Sequence, residues 1–197
     1  MKQNIRVGPY EIGPGEPPFI IAEVGINHNG RLDLACEMIQ TAKRAGASAV
    51  KFQTFKAEEF CGDETTTYTY LSQGRTVTEP MREMFKRVEL RREDWFKIKE
   101  ECDRNDIIFM STPQNVSDMR LLLEIGVPML KIGSDDFTNI PLVKTYAQTG
   151  LPLVLSCGMS DLAEVHQTLE AAGAFEGHPT VLCLCTSQYP TPPADVN

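Results

Sequence analysis

Apolar residues gather into six short runs along the chain: Phe19 to Val24, Ser48 to Gln53, Ile107 to Ser111, Pro128 to Ile132, Pro152 to Ser156 and Thr180 to Cys185. Each is rich in Ile, Val, Leu or Phe and shows little polar alternation, the pattern of strands covered on both faces in a parallel sheet. Between most of them the spacing turns helical. Leu34, Met38 and Ala42 share one face, with Ala35 and Ile39 beside it; Met119, Leu122 and Leu123 form a second, and Leu162, Val165 and Leu169 a third. Gly46 and Gly126 stand where helix C-caps are expected. A strand–helix alternation repeated in this way predicts a parallel α/β fold.

The polar residues decide between a barrel and an open sheet. Nearly every predicted strand ends in hydrogen-bonding groups: Glu23 to Asn29, Lys51 and Gln53, Ser111 and Thr112, Lys131 with Ser134, Ser156, and Thr186 to Tyr189. A (β/α)8 TIM barrel gathers such ends on one catalytic face, whereas an open doubly wound sheet concentrates its chemistry at one switch point. The pattern therefore predicts the barrel, with about six of its eight β/α units in residues 19–197 and residues 1–18 as an N-terminal extension. In "FIIAEVGINHNG", Glu23 and the Asn-His-Asn-Gly tail are expected at the rim of a pocket. The connection over residues 54–91 is long for such a link. Its polar, aromatic "CGDETTTYTYLSQGRTVTEP", followed by a short helical piece "MREMFKRVEL", reads as a cover over substrate or as a surface insertion.

Composition narrows the function class. The 197 residues carry a net charge of -8, which argues against a nucleic-acid footprint. No apolar run approaches the roughly 18 residues of a membrane helix, and the opening "MKQNIRVGPYEIGPGEPP" has no apolar core of a signal peptide. A cytoplasmic chain without membrane or nucleic-acid partners is expected. The six cysteines show no C-x-x-C spacing, so neither a disulfide framework nor a zinc site is indicated.

Lys51 and Lys131 each end a predicted strand, where an ammonium needs an anion nearby. With hydroxyls at Thr112, Ser134, Ser156 and Ser187 they suit a ligand bearing phosphate and carboxylate. Two other readings stay open at this level: a Schiff-base lysine, as in aldolases, and a structural pairing with carboxylates. Glu23 suits a general acid or base, a metal ligand or a partner for Lys51, and Asp135 and Asp136 form an acidic pair after "KIGS". His28 has no H-x-x-x-H or H-x-H companion, while His166 and His178 read as structural. The scattered glycines make neither a Walker loop nor a dinucleotide fingerprint. The residues alone reach a barrel-type enzyme acting on a small anion.

The stretches "FIIAEVGINHNG", "AVKFQTF", "FMSTP", "LKIGSDDFTNIPLVK", "LSCGMS" and "CTSQYPTPPADVN" together resemble the N-acylneuraminate synthase family, also called sialic acid or nonulosonic acid synthases. They stand in the family's order and cover nearly the whole chain from Phe19 onward. The resemblance implies a cytoplasmic carbon–carbon bond-forming transferase of polysaccharide biosynthesis. It would condense phosphoenolpyruvate with an N-acylated aminohexose, N-acetylmannosamine or a 6-deoxy diamino sugar, giving a nonulosonic acid and releasing phosphate by C–O cleavage. It also implies a TIM barrel followed by an antifreeze-like domain in a domain-swapped homodimer.

Carried over by position, the resemblance implies that Lys51, Thr112, Lys131, Ser134, Ser156 and Ser187 hold phosphoenolpyruvate. Gln53, Asp136 and Tyr189 would contact the sugar, and Glu23 and Lys51 would be catalytic. The family uses a divalent metal, Mn2+ or Mg2+. Its two histidine ligands and its antifreeze-like domain lie beyond the position of Asn197, so metal ligands are expected outside this chain. Relatives commonly read Gly-Ser-Gly-Glu or Gly-Ser-Gly-Asp where this chain has Gly133-Ser134-Asp135-Asp136, and many bacterial relatives carry Asn in place of Ser187. Two alternatives accompany this reading: a non-catalytic or partner-completed barrel that binds the anion, and a Schiff-base barrel aldolase.

Overall fold

The chain begins with a hairpin, β1 (Ile5–Val7) and β2 (Tyr10–Ile12), paired antiparallel, with Tyr10 edge-on to Phe19 at 5.3 Å. The structure is a computed structural model and describes residues 4–72, 74–188 and 191–196. The chain divides into two compact units, Ile20–Gly126, and Met1–Phe19 with Val127–Asn197.

In the Ile20–Gly126 unit, β3 (Ile21–Gly25), β4 (Ala49–Thr54) and β7 (Ile108–Pro113) form a parallel sheet in the order β3-β4-β7. Helix α1 (Leu32–Arg44) follows β3 because Ala35, Ile39 and Ala42 fall on one face and are buried. Asp33 in its first turn and Lys43 and Arg44 in its last suit the helix dipole. Gly46, at φ 87, turns the chain out of it. Helix α4 (Arg92–Arg104), which the apolar spacing did not single out, buries Trp95, Ile98 and Cys102 despite a mostly charged sequence. Its buried carboxylates are paired: Asp94 accepts from Arg91 at 2.9 Å and Glu101 from Gln40 at 2.8 Å. Helix α5 (Val116–Ile125) starts with the Asp118 carboxylate accepting the Asn115 backbone N–H at 3.0 Å and ends at Gly126, which is left-handed at φ 81. Phe52 of β4 is fully buried at the centre of this unit, with ring centroids of Trp95 at 6.0 Å and Phe109 at 5.8 Å.

The long connection after β4 is more ordered than its polar sequence suggests. It contains α2 (Ala57–Phe60), the antiparallel ribbon of β5 (Thr67–Ser72) and β6 (Arg75–Pro80), and α3 (Met81–Val88), the expected helical piece. Glu79 ties the ribbon to α3. It accepts the Tyr70 hydroxyl at 2.7 Å and both terminal nitrogens of Arg87 at 2.6 Å, and these bonds hold its carboxyl down at about 2. Phe55, Phe60 and Phe85 pack edge-on beneath, which gives the insertion a small apolar footing of its own.

In the other unit, β8 (Leu130–Ile132), β9 (Leu153–Ser156) and β10 (Thr180–Cys183) form a second parallel sheet in sequence order. Helix α6 (Ile140–Ala147) buries Val143 and Tyr146. Helix α7 (Leu162–Ala171) opens on a reciprocal cap in which Asp161 and Glu164 each accept the other's backbone N–H at 2.9 Å. The buried Thr168 hydroxyl donates to the Phe137 carbonyl at 2.9 Å.

All six predicted strands are present, with two differences. Burial on both faces holds for β8 and β9 and for most of β4 and β7, but β3 and β10 are only partly covered. Strand β10 also stops at Cys183 rather than Cys185, leaving Leu184 exposed. Among the described residues no helix is long and apolar enough to cross a membrane.

Candidate functional site at the strand ends

Register places the predicted residues of the Ile20–Gly126 unit side by side. Glu23 of β3 stands opposite Lys51 of β4, and Gln53 stands opposite Thr112 of β7. Successive strand residues alternate faces, so Lys51 and Gln53 share the face away from Phe52 and its aromatic cluster. The Lys51 ammonium forms an ion pair with the Glu23 carboxylate. Lys51 is almost enclosed, at 13% side-chain exposure, whereas Glu23 is half open at 51%. The enclosed cation thus has its neutralising partner on the open side, where an anion could approach.

Gly25 organises this corner. The β3–β4 register shifts between Glu23 and Gly25, and Gly25 adopts φ 55. A β-carbon there would lie 3.3 Å from Glu23 Oε1, 3.6 Å from Gln53 Oε1 and 3.9 Å from Asn27 Nδ2. Three polar side chains therefore converge on a residue that must lack a side chain. Asn27 is held there by donating to the Val24 carbonyl at 2.9 Å. Thr112 is buried beside them, and the Ser111 and Thr54 hydroxyls bond at 2.7 Å on the opposite face.

His28 departs from the expected rim position, although Glu23, Asn27 and Asn29 around it are exposed. It is buried at 1% exposure, 5.9 Å from the Phe52 ring. Its Nδ1 accepts the Gly30 N–H at 3.1 Å, which leaves the proton on Nε2, a buried atom without a hydrogen-bond partner among the described residues. Burial lowers its pKa to about 4. Asp118 in the same unit is pushed the other way, to about 6, chiefly by burial.

These two groups give opposite pH dependences. The unfolded chain protonates His28 near 6.5, so its contribution to stability is lost as pH falls from about 6.5 through 4. Asp118 prefers to be protonated in the fold, so its cost is relieved as pH falls from about 6 through 3.8. Asp118→Asn, which keeps an oxygen for the cap, is expected to stabilise the chain by about 1–3 kcal/mol at pH 7. That advantage should vanish near pH 4, as read from urea midpoints. A gain that persists undiminished at pH 4 would rule out the Asp118 carboxyl as its source.

In the second unit Lys131 is buried, and its ammonium donates to the Ile132 carbonyl at 2.6 Å. Ser156 is the last residue of β9, buried, opposite Cys183 of β10. Gly158 links two of the predicted hydroxyls: its N–H donates to Ser134 Oγ at 3.2 Å, and its carbonyl accepts from Ser187 Oγ at 2.7 Å. A β-carbon on Gly133 would meet only the carboxylate end of the exposed Asp135 side chain. Asp136 is half-buried, and burial, with some help from the Asp135 charge, raises its carboxyl above the ordinary range against the pull of Asn139. Tyr189 lies outside the described residues. His166 stacks on Phe175 at 5.0 Å, and His178 bonds the Ala147 carbonyl at 3.2 Å.

Residue-type reasoning placed Asn27 at the rim but did not assign Gly25 or Gly158 to the site. The only signal was a glycine directly after each strand's polar end, which local pattern cannot separate from an ordinary turn. Among the described residues no group of three or more His, Cys, Asp or Glu is placed to hold a metal ion.

Residues 38–197 match the model of the NeuB family. The chain belongs to that family. An uncharacterised protein of Methanocaldococcus jannaschii is 37% identical over 195 residues, which span 99% of this chain and 54% of that protein. The N,N'-diacetyllegionaminic acid synthase of Legionella pneumophila is 40% identical over 183 residues, spanning 91% of this chain and 51% of the enzyme. Among solved structures, the sialic acid synthetase of Leptospira borgpetersenii in complex with citrate superposes with a TM-score of 0.87 at 34% identity, over 100% of this chain and 64% of that one. The chain spans about half the length of the curated relatives it matches.

Proposed function

We propose that this NeuB-family chain carries the phosphoenolpyruvate-binding part of a nonulosonic acid synthase built on a (β/α)8 barrel. The enzyme condenses phosphoenolpyruvate with an N-acylated aminohexose and releases phosphate. The observation that carries the reading is the strand-end cluster of Glu23, Lys51, Gln53 and Thr112, set in register on the face away from the helix-packed core. Support also comes from the relatives' names as legionaminic and sialic acid synthases and from the citrate, a small carboxylate anion, in the Leptospira complex.

In this proposal Lys51 and Lys131 supply the cations for phosphate and carboxylate, and Thr112, Ser134, Ser156 and Ser187 supply hydroxyl hydrogen bonds. Gln53, Asp136 and Tyr189 meet the sugar. C3 of the enol attacks the sugar aldehyde, water adds at C2, and the resulting hemiketal phosphate loses phosphate by C–O cleavage. In this reading Glu23 orients that water or moves its proton. The family resemblance adds a divalent metal, Mn2+ or Mg2+, which would polarise the aldehyde. In this proposal its ligands lie outside this chain, as the family resemblance implies. A homodimer in the cytoplasm completes the proposal.

The Lys51 nitrogen is engaged by the Glu23 carboxylate, whereas a Schiff base requires it free to attack a carbonyl. Phosphate release is the decisive assay, with phosphoenolpyruvate, Mn2+ and either N-acetylmannosamine or a 6-deoxy diamino sugar. It should be run on this chain joined to the C-terminal part of a relative. Release that needs both substrates is the expected result. Borohydride trapping of Lys51 or Lys131 on pyruvate would instead establish the aldolase reading, and phosphoenolpyruvate binding without any turnover would favour a non-catalytic barrel.

A further inference from the structure

The cysteines do not share one environment. Burial pushes the thiols of Cys36, Cys61 and Cys102 up, which makes them poor nucleophiles. Cys157 and Cys185 are set apart by their position past the strand ends. Both are half-buried, and both lie just past Ser156 and Cys183, the last paired residues of β9 and β10. Cys157 Sγ donates to the Cys183 carbonyl at 3.3 Å, and Cys185 Sγ donates to the same oxygen at 3.4 Å. Their sulfurs are therefore no further apart than those two bonds laid end to end.

The backbones are close as well. A β-carbon on Gly158 would stand 3.0 Å from Cys185 Cβ and 3.2 Å from the Cys185 carbonyl oxygen. The residue next to Cys157 is thus packed directly against Cys185. Past Cys183 the sheet ladder has ended, so the two side chains can turn toward one another, as a disulfide requires.

We propose that Cys157 and Cys185 are an oxidisable thiol pair, a modification site that closes to a disulfide in the presence of a peroxide. One thiolate attacks one peroxide oxygen and keeps it as a sulfenic acid, while the O–O bond breaks and the other oxygen takes up a proton and leaves as water. The second thiolate attacks the sulfenic sulfur, the S–S bond forms and a second water leaves. Both thiol hydrogens end in water, and the peroxide takes up the two electrons. The consequence for the strand ends follows from Gly158, whose N–H and carbonyl hold Ser134 and Ser187. Drawing Cys157 onto Cys185 displaces Gly158 and separates those hydroxyls, so oxidation weakens anion binding. This last step rests on the proposed function; the thiol pair does not.

The test is peptide mapping of the folded chain after treatment with hydrogen peroxide, with remaining thiols alkylated. Cleavage after Glu164, Glu170 and Glu176 separates Cys157 from Cys183 and Cys185. The expected product is a dithiothreitol-sensitive pair of linked peptides, lighter by two hydrogen atoms, that forms in Cys183→Ser but not in Cys157→Ser or Cys185→Ser. Fully alkylatable thiols in the oxidised wild-type chain overturn the pair, as does a link that persists in Cys185→Ser. Phosphoenolpyruvate titration of the same samples is expected to show a reversible loss of affinity of about ten-fold or more. Unchanged affinity in the linked protein overturns the coupling, whereas no binding even by the reduced chain overturns the phosphoenolpyruvate reading and leaves the thiol pair standing.

Discussion

Lys51→Ala is expected to abolish phosphoenolpyruvate binding while leaving the fold intact. The wild-type ammonium is nearly enclosed and paired with Glu23, on the face of β4 away from the aromatic core. Alanine removes the cation but keeps the Glu23 carboxylate, so an incoming anion meets a negative charge where it had met a positive one. Removing a nearly enclosed cation from a bound anion typically costs about 2–5 kcal/mol, a loss of about 30-fold or more in affinity. Calorimetric titration reads the affinity, and circular dichroism checks the fold. Adding Glu23→Gln should recover part of the lost affinity, because the repulsion is then gone. Unchanged affinity in Lys51→Ala would remove this lysine from the anion site and with it the core of the proposed function.

The second large effect is on stability. Phe52 lies one residue from Lys51 but on the other face, fully buried against Trp95, Phe109 and His28. Phe52→Ala should lower the unfolding free energy by about 3–5 kcal/mol, through lost apolar burial and a cavity that three surrounding rings cannot fill. Urea denaturation measures it, and a loss below about 1 kcal/mol would show that the cluster collapses around the gap. The two neighbours thus make opposite predictions, binding without stability for Lys51 and stability foremost for Phe52. Alternation along a strand is the whole reason.

The polar strand ends were legible because each is a local event, an apolar run that stops in Glu, Lys, Ser or Thr. The same reading failed at His28, where neighbours in "NHNG" are exposed and the imidazole alone turns inward onto Phe52. It also missed the β5–β6 ribbon, whose Thr and Tyr alternation looked like loop, because its anchor is the Glu79–Arg87 contact with α3. Helix α4 was passed over for a related reason: its buried Asp94 and Glu101 count as polar in sequence and become tolerable inside only through Arg91 and Gln40.

By itself the sequence determined the order of the six strands of the parallel sheets, the parallel α/β class and the residues that close each strand. Those depend on the faces of one segment at a time, and hydrophobic period records them directly. Only the tertiary structure decided that Glu23 meets Lys51, that Gln53 and Asn27 converge on Gly25, and that Cys157 and Cys185 share one carbonyl. Each of these joins residues through strand register or backbone turns after the ladder ends. A register is chosen by the packing of whole elements, so no single segment contains it.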